Sequence, residues 1–311
     1  MDPKLFERQY KDHLSDFHQW DQKSHADKWL VFPENVGSRL SLDETSISNG
    51  ELYTILTNKA AKGGKGSLVA LVEGTKADDI SIVFNKISLS RRLEVKEVTL
   101  DFSPSMERAV RTSFPNARLT TDRFHVQQLL SEALQEMRVS LRWKAIQEEN
   151  DGMKQAKLTG ERYTPQVYAN ADTKKQLLAR SRYLLFKPSS KWTHHQQERA
   201  VILFELFPAL AHGYNLTMNF RNIYETSTTR KQAQQRFHDW FQKVEKEQLD
   251  SFTTTAHYLH NHLDTILNYF PDRSTNASAE SFNAKLKGFR ALVRGVCDKK
   301  FFLYRVAMIY G

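Results

Sequence analysis

The chain has 311 residues, a formal net charge of +9 and a pI near 9.4, a length that allows two domains or one domain with a large insertion. Its single cysteine, Cys297, excludes intrachain disulfides and a zinc ribbon, and no apolar run approaches the ~18 residues of a membrane span. The basic balance favours a polyanion partner and says nothing about fold.

The start, Met-Asp-Pro-Lys, carries no secretory signal. With the lone cysteine it suggests a soluble protein of a reducing, cytoplasmic compartment. Residues 1–38 read as a short helix (Leu5, Phe6, Tyr10, Leu14, Phe17) and a connector with Trp20 and Trp29 that ends at Pro33. This segment holds 5 basic and 7 acidic residues, and it would dock on the main body or on a partner.

A β-rich block follows. Arg39 to Thr45 alternates, with Leu40 and Leu42 on one face and Ser41 and Asp43 on the other. Ser48-Asn49-Gly50 is a turn signal before a second strand, Leu52 to Thr57, and a glycine-bearing loop, 61–66, precedes a third, Ser67 to Val72. Connections this short predict an antiparallel meander. Lys76 to Ile87 places Ile80, Val83, Phe84 and Ile87 on one helical stripe. Val95 to Asp101 then reads as a strand ending in an acid. Ser103 offers a cap and Pro104 a first-turn residue for a helix that Phe114-Pro115 must stop. A further strand ends at Asp122. The order to this point is β-β-β-α-β-α-β.

Beyond Asp122 the spacing is helical. Val126, Leu129, Leu130, Ala133, Leu134, Met137 and Leu141 predict one long amphipathic helix. Lys174 to Phe186, His194 to Phe207 and Lys231 to Val244 predict more, and Tyr214 to Thr229 reads as a helix with a loop. The segment Lys174 to Lys243 has 12 basic and 4 acidic residues, and Asp272 to Gly311 has 8 and 3. The domain plan is therefore an N-terminal helix and connector over 1–38, a first core part over 39–128, a helical insertion over 129–269 and a final core segment over 270–311. In that last segment Ser274-Thr275-Asn276 is a cap cluster. An apolar stripe (Ala279, Phe282, Leu286, Phe289, Val293) opposes a polar one of Asn276, Glu280, Asn283 and Lys287.

Asp43 and Asp101 end matching Leu-Ser-Leu-Asp and Val-Thr-Leu-Asp runs. On neighbouring strands their carboxylates would emerge side by side, an arrangement a divalent cation relieves. Hard oxygen ligands suit Mg²⁺, and two such ions ~4 Å apart support in-line phosphoryl displacement. Glu280 would complete the set. Each acid also has an ordinary reading: a turn or cap for the aspartates, a solvated helix face for the glutamate. Asp122 can equally cap the long helix. His125 is balanced between a satisfied histidine near the core and a hydrogen-bond donor or proton shuttle at the site. His194-His195 reads as a surface pair. Lys285, Lys287, Arg290 and Arg294 would ordinarily be a solvated face; beside a phosphoryl-transfer site, phosphate contact is the better reading.

Asp-Phe-Ser-Pro-Ser-Met-Glu-Arg-Ala-Val, Phe-Pro-Asn-Ala and Asp-Arg-Phe-His-Val, with Ser-Thr-Asn-Ala-Ser-Ala-Glu-Ser-Phe-Asn-Ala-Lys-Leu-Lys near the end, resemble bacterial insertion-sequence transposases of the DDE type, in the subgroup with an Asp-Arg-Phe-His motif. The resemblance runs from about Leu40 to the C-terminus. It implies an α/β, ribonuclease-H-like catalytic fold with a large all-helical insertion before the last catalytic helix. It also implies acids at Asp43, Asp101 and Glu280, with Asp122 and His125 matching the accompanying Asp-x-x-His signature. Asp122 as the second acid is a rival assignment, disfavoured because it ends the outer fifth strand.

The activity implied is metal-dependent cleavage at element ends and strand transfer into target DNA, with two Mg²⁺ ions or Mn²⁺ in their place. The DNA path expected is the polar face of the last helix, including Asn283, with the helical insertion as a second wall. A homo-oligomer on DNA is expected. A zinc-binding and helix-turn-helix region common in full-length relatives is not evident, so the expectation is either a separate end-recognition protein from an adjacent reading frame as partner, or a chain that is a remnant. A nuclease that never joins strands, and a non-catalytic DNA-binding derivative, are the alternatives.

Overall fold

The computed structural model describes residues 3–47, 50–293 and 295–311. Two compact units divide the chain: one comprises 1–123 with 272–311, the other 124–271.

The first unit is built on a six-stranded mixed sheet: β1 (Trp29–Val31), β2 (Arg39–Ser46), β3 (Leu52–Asn58), β4 (Leu68–Glu73), β5 (Glu97–Leu100) and β6 (Arg118–Thr121). The strand order is β1-β4-β3-β2-β5-β6. β1 to β4, β4 to β3 and β3 to β2 are antiparallel pairs, whereas β2–β5 and β5–β6 are parallel. The meander read from the sequence is present, and the β4-to-β6 part of the order is compatible with a ribonuclease-H-like sheet.

Alternation sorts the two faces. Leu40, Leu42, Val98 and Leu100 are buried with Ile80, Val83 and Phe84 of the helix Ala77–Phe84 and with Met106, Ala109 and Val110 of the helix Pro104–Ser113. That second helix starts as its sequence demands, with Ser103 Oγ accepting the Met106 N–H at 3.4 Å. On the other face Tyr53, Ile55, Leu68 and Leu71 pack with Phe282 and Leu286 of the helix Ala277–Leu292 and with the closing helix Lys299–Tyr310.

The N-terminal connector departs from expectation. Trp29–Val31 is an edge strand, paired through Leu30 opposite Leu71. Three residues are too few for alternation to register; the partner strand defines it. Phe17 packs edge-on against Phe301 at 5.3 Å and Tyr304 at 5.5 Å, so this segment docks on the body of its own unit. Ser48 and Asn49 of the turn signal, and Arg294, lie outside the described residues.

The second unit is helical. The long helix runs Arg123–Thr159, 37 residues, and the stretch from Tyr214 to Thr229 is helical to Thr226, the end of the helix Pro208–Thr226, with a short connection over 227–229. Its interior is aromatic: Phe220, Phe237 and Trp240 meet at centroid distances of 5.1 and 4.9 Å. Asp172 is fully buried there, held by Arg180 and by Arg199 at 2.9 Å. Among the described residues no helix is long and apolar enough to cross a membrane.

Candidate active site

β2 and β5 run parallel with Ser41 opposite Thr99. Carried two residues further, that register sets Asp43 level with Asp101, which follows β5 directly. Both are partly buried. Asp43 Oδ1 accepts the N–H of Glu44 at 2.8 Å, and Oδ2 accepts from Asn283 Nδ2 at 2.8 Å. Asp101 Oδ1 accepts the Ser103 N–H at 3.0 Å. The turn role considered for Asp101 is therefore present alongside its position beside Asp43.

Glu44 belongs to the same acidic group and was not singled out in the sequence. Burial first, then the charges of Asp101 and Asp43, push its carboxyl above the usual range. The adjacent Asp43-Glu44 pair was the signal, obscured because neighbours on a strand point to opposite faces. Both residues lie past Ser41, the last residue of β2 paired with β5, and there that separation does not isolate their charges.

The helix Ala277–Leu292 is fastened to the first acid's strand on either side of Glu280. Four residues before it, Asn276 Nδ2 donates to the Leu42 carbonyl at 3.3 Å. Three residues after it, Asn283 reaches Asp43. Glu280 itself is exposed, on the stripe shared by these two asparagines. Asn276 is fully buried and Asn283 is 7% exposed. The polar stripe is thus inward at Asn276 and Asn283 and outward at Glu280 and Lys287. Asn276 makes no side-chain cap, and Ser274 points instead to Glu97.

The expected DNA contacts sort unequally. Asn283 faces Asp43 rather than solvent. Lys285 Nζ donates to the Gly63 carbonyl at 2.8 Å, in a turn where Lys62 and Gly63 take positive φ of 50° and 74°. Arg290 donates to the Val296 carbonyl at 2.8 Å and lies over the Phe302 ring at 4.9 Å. Both cations thus have intramolecular partners. Lys287 is exposed. Arg294 is outside the described residues. Asp122, 2% exposed, accepts the Asn276 N–H at Oδ1, 3.0 Å. His125 belongs to the helical unit, in the first turn of the long helix, edge-on to Phe124 at 5.5 Å.

Asp43, Asp101 and Glu280 are not gathered as tightly as a filled metal centre. Among the described residues, the group of three His, Cys, Asp or Glu side chains with ligand atoms all within 4.8 Å is His194, His195 and Glu198, which is exposed. The donor chemistry nonetheless suits a hard cation. Carboxylates crowd at the ends of β2 and β5, and Asn283 Oδ1, on the amide that binds Asp43, is buried with no hydrogen-bond partner. Carboxylate and amide oxygens are ligands Mg²⁺ accepts.

The sequence matches the ISL3-type DDE family, described as transposase, over residues 40–306, and the chain belongs to that family. No curated protein and no solved structure matches it.

Proposed function

We propose that this transposase carries out two successive displacements at phosphorus on a ribonuclease-H-like core, into which the helical unit is inserted before the last catalytic helix. Water cleaves the phosphodiester at an element end and frees a 3′-hydroxyl, which then attacks a phosphodiester of target DNA. Asp43, Asp101 and Glu280 would hold two Mg²⁺ ions, with Mn²⁺ able to substitute. When bound, such ions activate the attacking oxygen and stabilise the leaving one.

The chain's own residues do the orienting. Asn283 fixes one oxygen of Asp43, and the Ser103 amide fixes one oxygen of Asp101. Asn276 and Asn283 fasten the helix to β2 on either side of Glu280. This double attachment on either side of Glu280 is the observation that carries the reading. His125 is the group proposed to move a proton or orient a reacting oxygen. Lys287, exposed on the helix of Glu280, is the proposed phosphate contact. The proposed partners are the element ends, target DNA, further copies of this chain and a separate end-recognition protein from an adjacent reading frame.

Strand joining with labelled element ends tests the reading, in Mg²⁺, with and without the protein of the adjacent upstream reading frame. Joined products are expected. Cleaved ends that never join would replace the reading by that of a nuclease. Neither product under either condition, with DNA binding intact, would replace it by that of a non-catalytic DNA-binding protein.

A further inference from the structure

Asp122 ends the outer strand of the sheet, and the strand order puts β5 between it and β2. At ~4.8 Å per strand, β6 lies about 10 Å from the strand of Asp43. The Asp122 carboxylate is 2% exposed and turned towards backbone, accepting the Asn276 N–H at 3.0 Å across 154 residues of sequence.

Asn276 in turn uses every part of its polar surface except Oδ1. Its N–H goes to Asp122 and its Nδ2 to the Leu42 carbonyl, one residue before Asp43. Its own carbonyl accepts the N–H of Ala279 at 2.8 Å and that of Glu280 at 3.0 Å. A carboxylate bonded to a backbone amide at a helix start makes a charge-assisted bond, and the helix dipole strengthens it. Its loss would leave the first turn attached to the strand by the 3.3 Å Asn276–Leu42 bond.

We propose that Asp122 is a positioning residue for Glu280, acting through Asn276 and contributing as a hydrogen-bond acceptor, not as a metal ligand. This rests on the reading of Glu280 as one of the acids. It gives the first residue of the Asp-Arg-Phe-His stretch a task distinct from both a second catalytic acid and a mere helix cap. What the site needs from Asp122 is an oxygen in the right place. The negative charge is secondary.

The test uses the full chain, with Asp122→Asn and Asp122→Ala beside Asp43→Asn and Glu280→Gln. Cleavage of a labelled element end, Mn²⁺ affinity by calorimetry and thermal melting are measured for each. Asp122→Ala is expected to slow cleavage ~100-fold, the scale of a ~1 Å misplacement, and to weaken Mn²⁺ binding. Asp122→Asn keeps an acceptor oxygen and should restore both to within about tenfold of wild type, as the weaker neutral bond allows. An Asp122→Asn protein that melts like wild type yet is as inactive as Asp43→Asn overturns the proposal and makes the carboxylate a catalytic acid. Wild-type cleavage by Asp122→Ala overturns it too. If the alanine variant does not fold, the asparagine variant decides alone. Full activity in Glu280→Gln is a different failure, that of the active-site reading itself.

Discussion

The two ends of the parallel strands β2, β5 and β6 handle charge in opposite ways. At their amino ends Arg39, Glu97 and Arg118 are the first residues of their strands, joined by Lys59 and Asp272. Arg39 meets Asp272 at 3.2 Å, Asp272 meets Arg118 at 2.6 Å, Arg118 meets Glu97 at 3.0 Å and Glu97 meets Lys59 at 3.2 Å. The signs alternate along this chain of contacts. Past the last parallel β2–β5 pair Asp43, Glu44 and Asp101 share one sign, and the charges of Asp101 and Asp43 add to burial in pushing the Glu44 carboxyl up. A sheet that pairs its charges at one end and crowds like charges at the other gives up stability at the crowded end, which is where the proposed cations would bind. One end holds the strands together; the other is fit for chemistry.

The sharpest way to break this contrast is to neutralise the crowded end. Asp43→Asn, Asp101→Asn and Glu280→Gln should each lower metal-dependent cleavage by ~10³-fold or more, the scale of losing a group that stabilises charge at the transition state. DNA affinity should change little, because phosphate contacts carry it. Single-turnover cleavage beside a filter-binding titration measures both. Wild-type cleavage in any one variant removes that residue from the set.

At the paired end the effect should be on stability instead. Glu97 is 1% exposed. Glu97→Ala leaves Lys59 largely buried without its carboxylate, and removing one partner of a buried pair costs ~3–5 kcal/mol. Urea unfolding of the full chain checks this; a loss under ~1 kcal/mol would mean the network contributes little. The same residue predicts a pH dependence. Burial would raise its carboxyl, but Ser274, Arg118 and Lys59 outweigh burial and hold it below the usual range. A depressed carboxylate contributes stability above the unfolded value of ~4.3, and that contribution is lost as pH falls through the folded value. Glu97→Gln should therefore be less stable than wild type at pH 7, the gap narrowing below pH ~4. A constant gap across that range would place the stabilisation elsewhere.

How much of this was legible beforehand depended on the range of the interaction. Strands, the Ser103 cap and the Phe114-Pro115 stop follow from local spacing, and the structure has them. Asp43 beside Asp101 was readable because the Leu-Ser-Leu-Asp and Val-Thr-Leu-Asp runs share a phase. The inward turn of Asn276 and Asn283 was not. A helical wheel separates polar from apolar residues, and nothing local says that a buried carbonyl and a carboxylate await the polar side. The intramolecular bonds of Lys285 and Arg290 were out of reach for the same reason: their acceptors are the backbone carbonyls of Gly63 and Val296. β1 exists only through pairing with β4, and Ser274 turns from a cap to Glu97 because a buried charge needs it.

The smallest effect separates the two ends most directly. Glu44 is held above the ordinary carboxylate range by burial, Asp101 and Asp43, so its charge opposes folding at neutral pH, whereas the charge of Glu97 favours it. Glu44→Gln keeps the shape and removes that charge. In metal-free buffer at pH 7 it should stabilise the protein by less than ~1 kcal/mol, the scale of a partly screened charge interaction, a rise in melting temperature of about 1–3 °C. In saturating Mg²⁺ the gain should shrink or reverse, because bound cations convert the local excess of negative charge from a liability into an attraction. Melting curves of wild type and Glu44→Gln with and without Mg²⁺ measure the difference of differences. A Glu44→Gln protein that is destabilised without metal as much as Glu97→Gln would show that Glu44 is paired like the residues at the amino ends, and the contrast between the two ends would be gone.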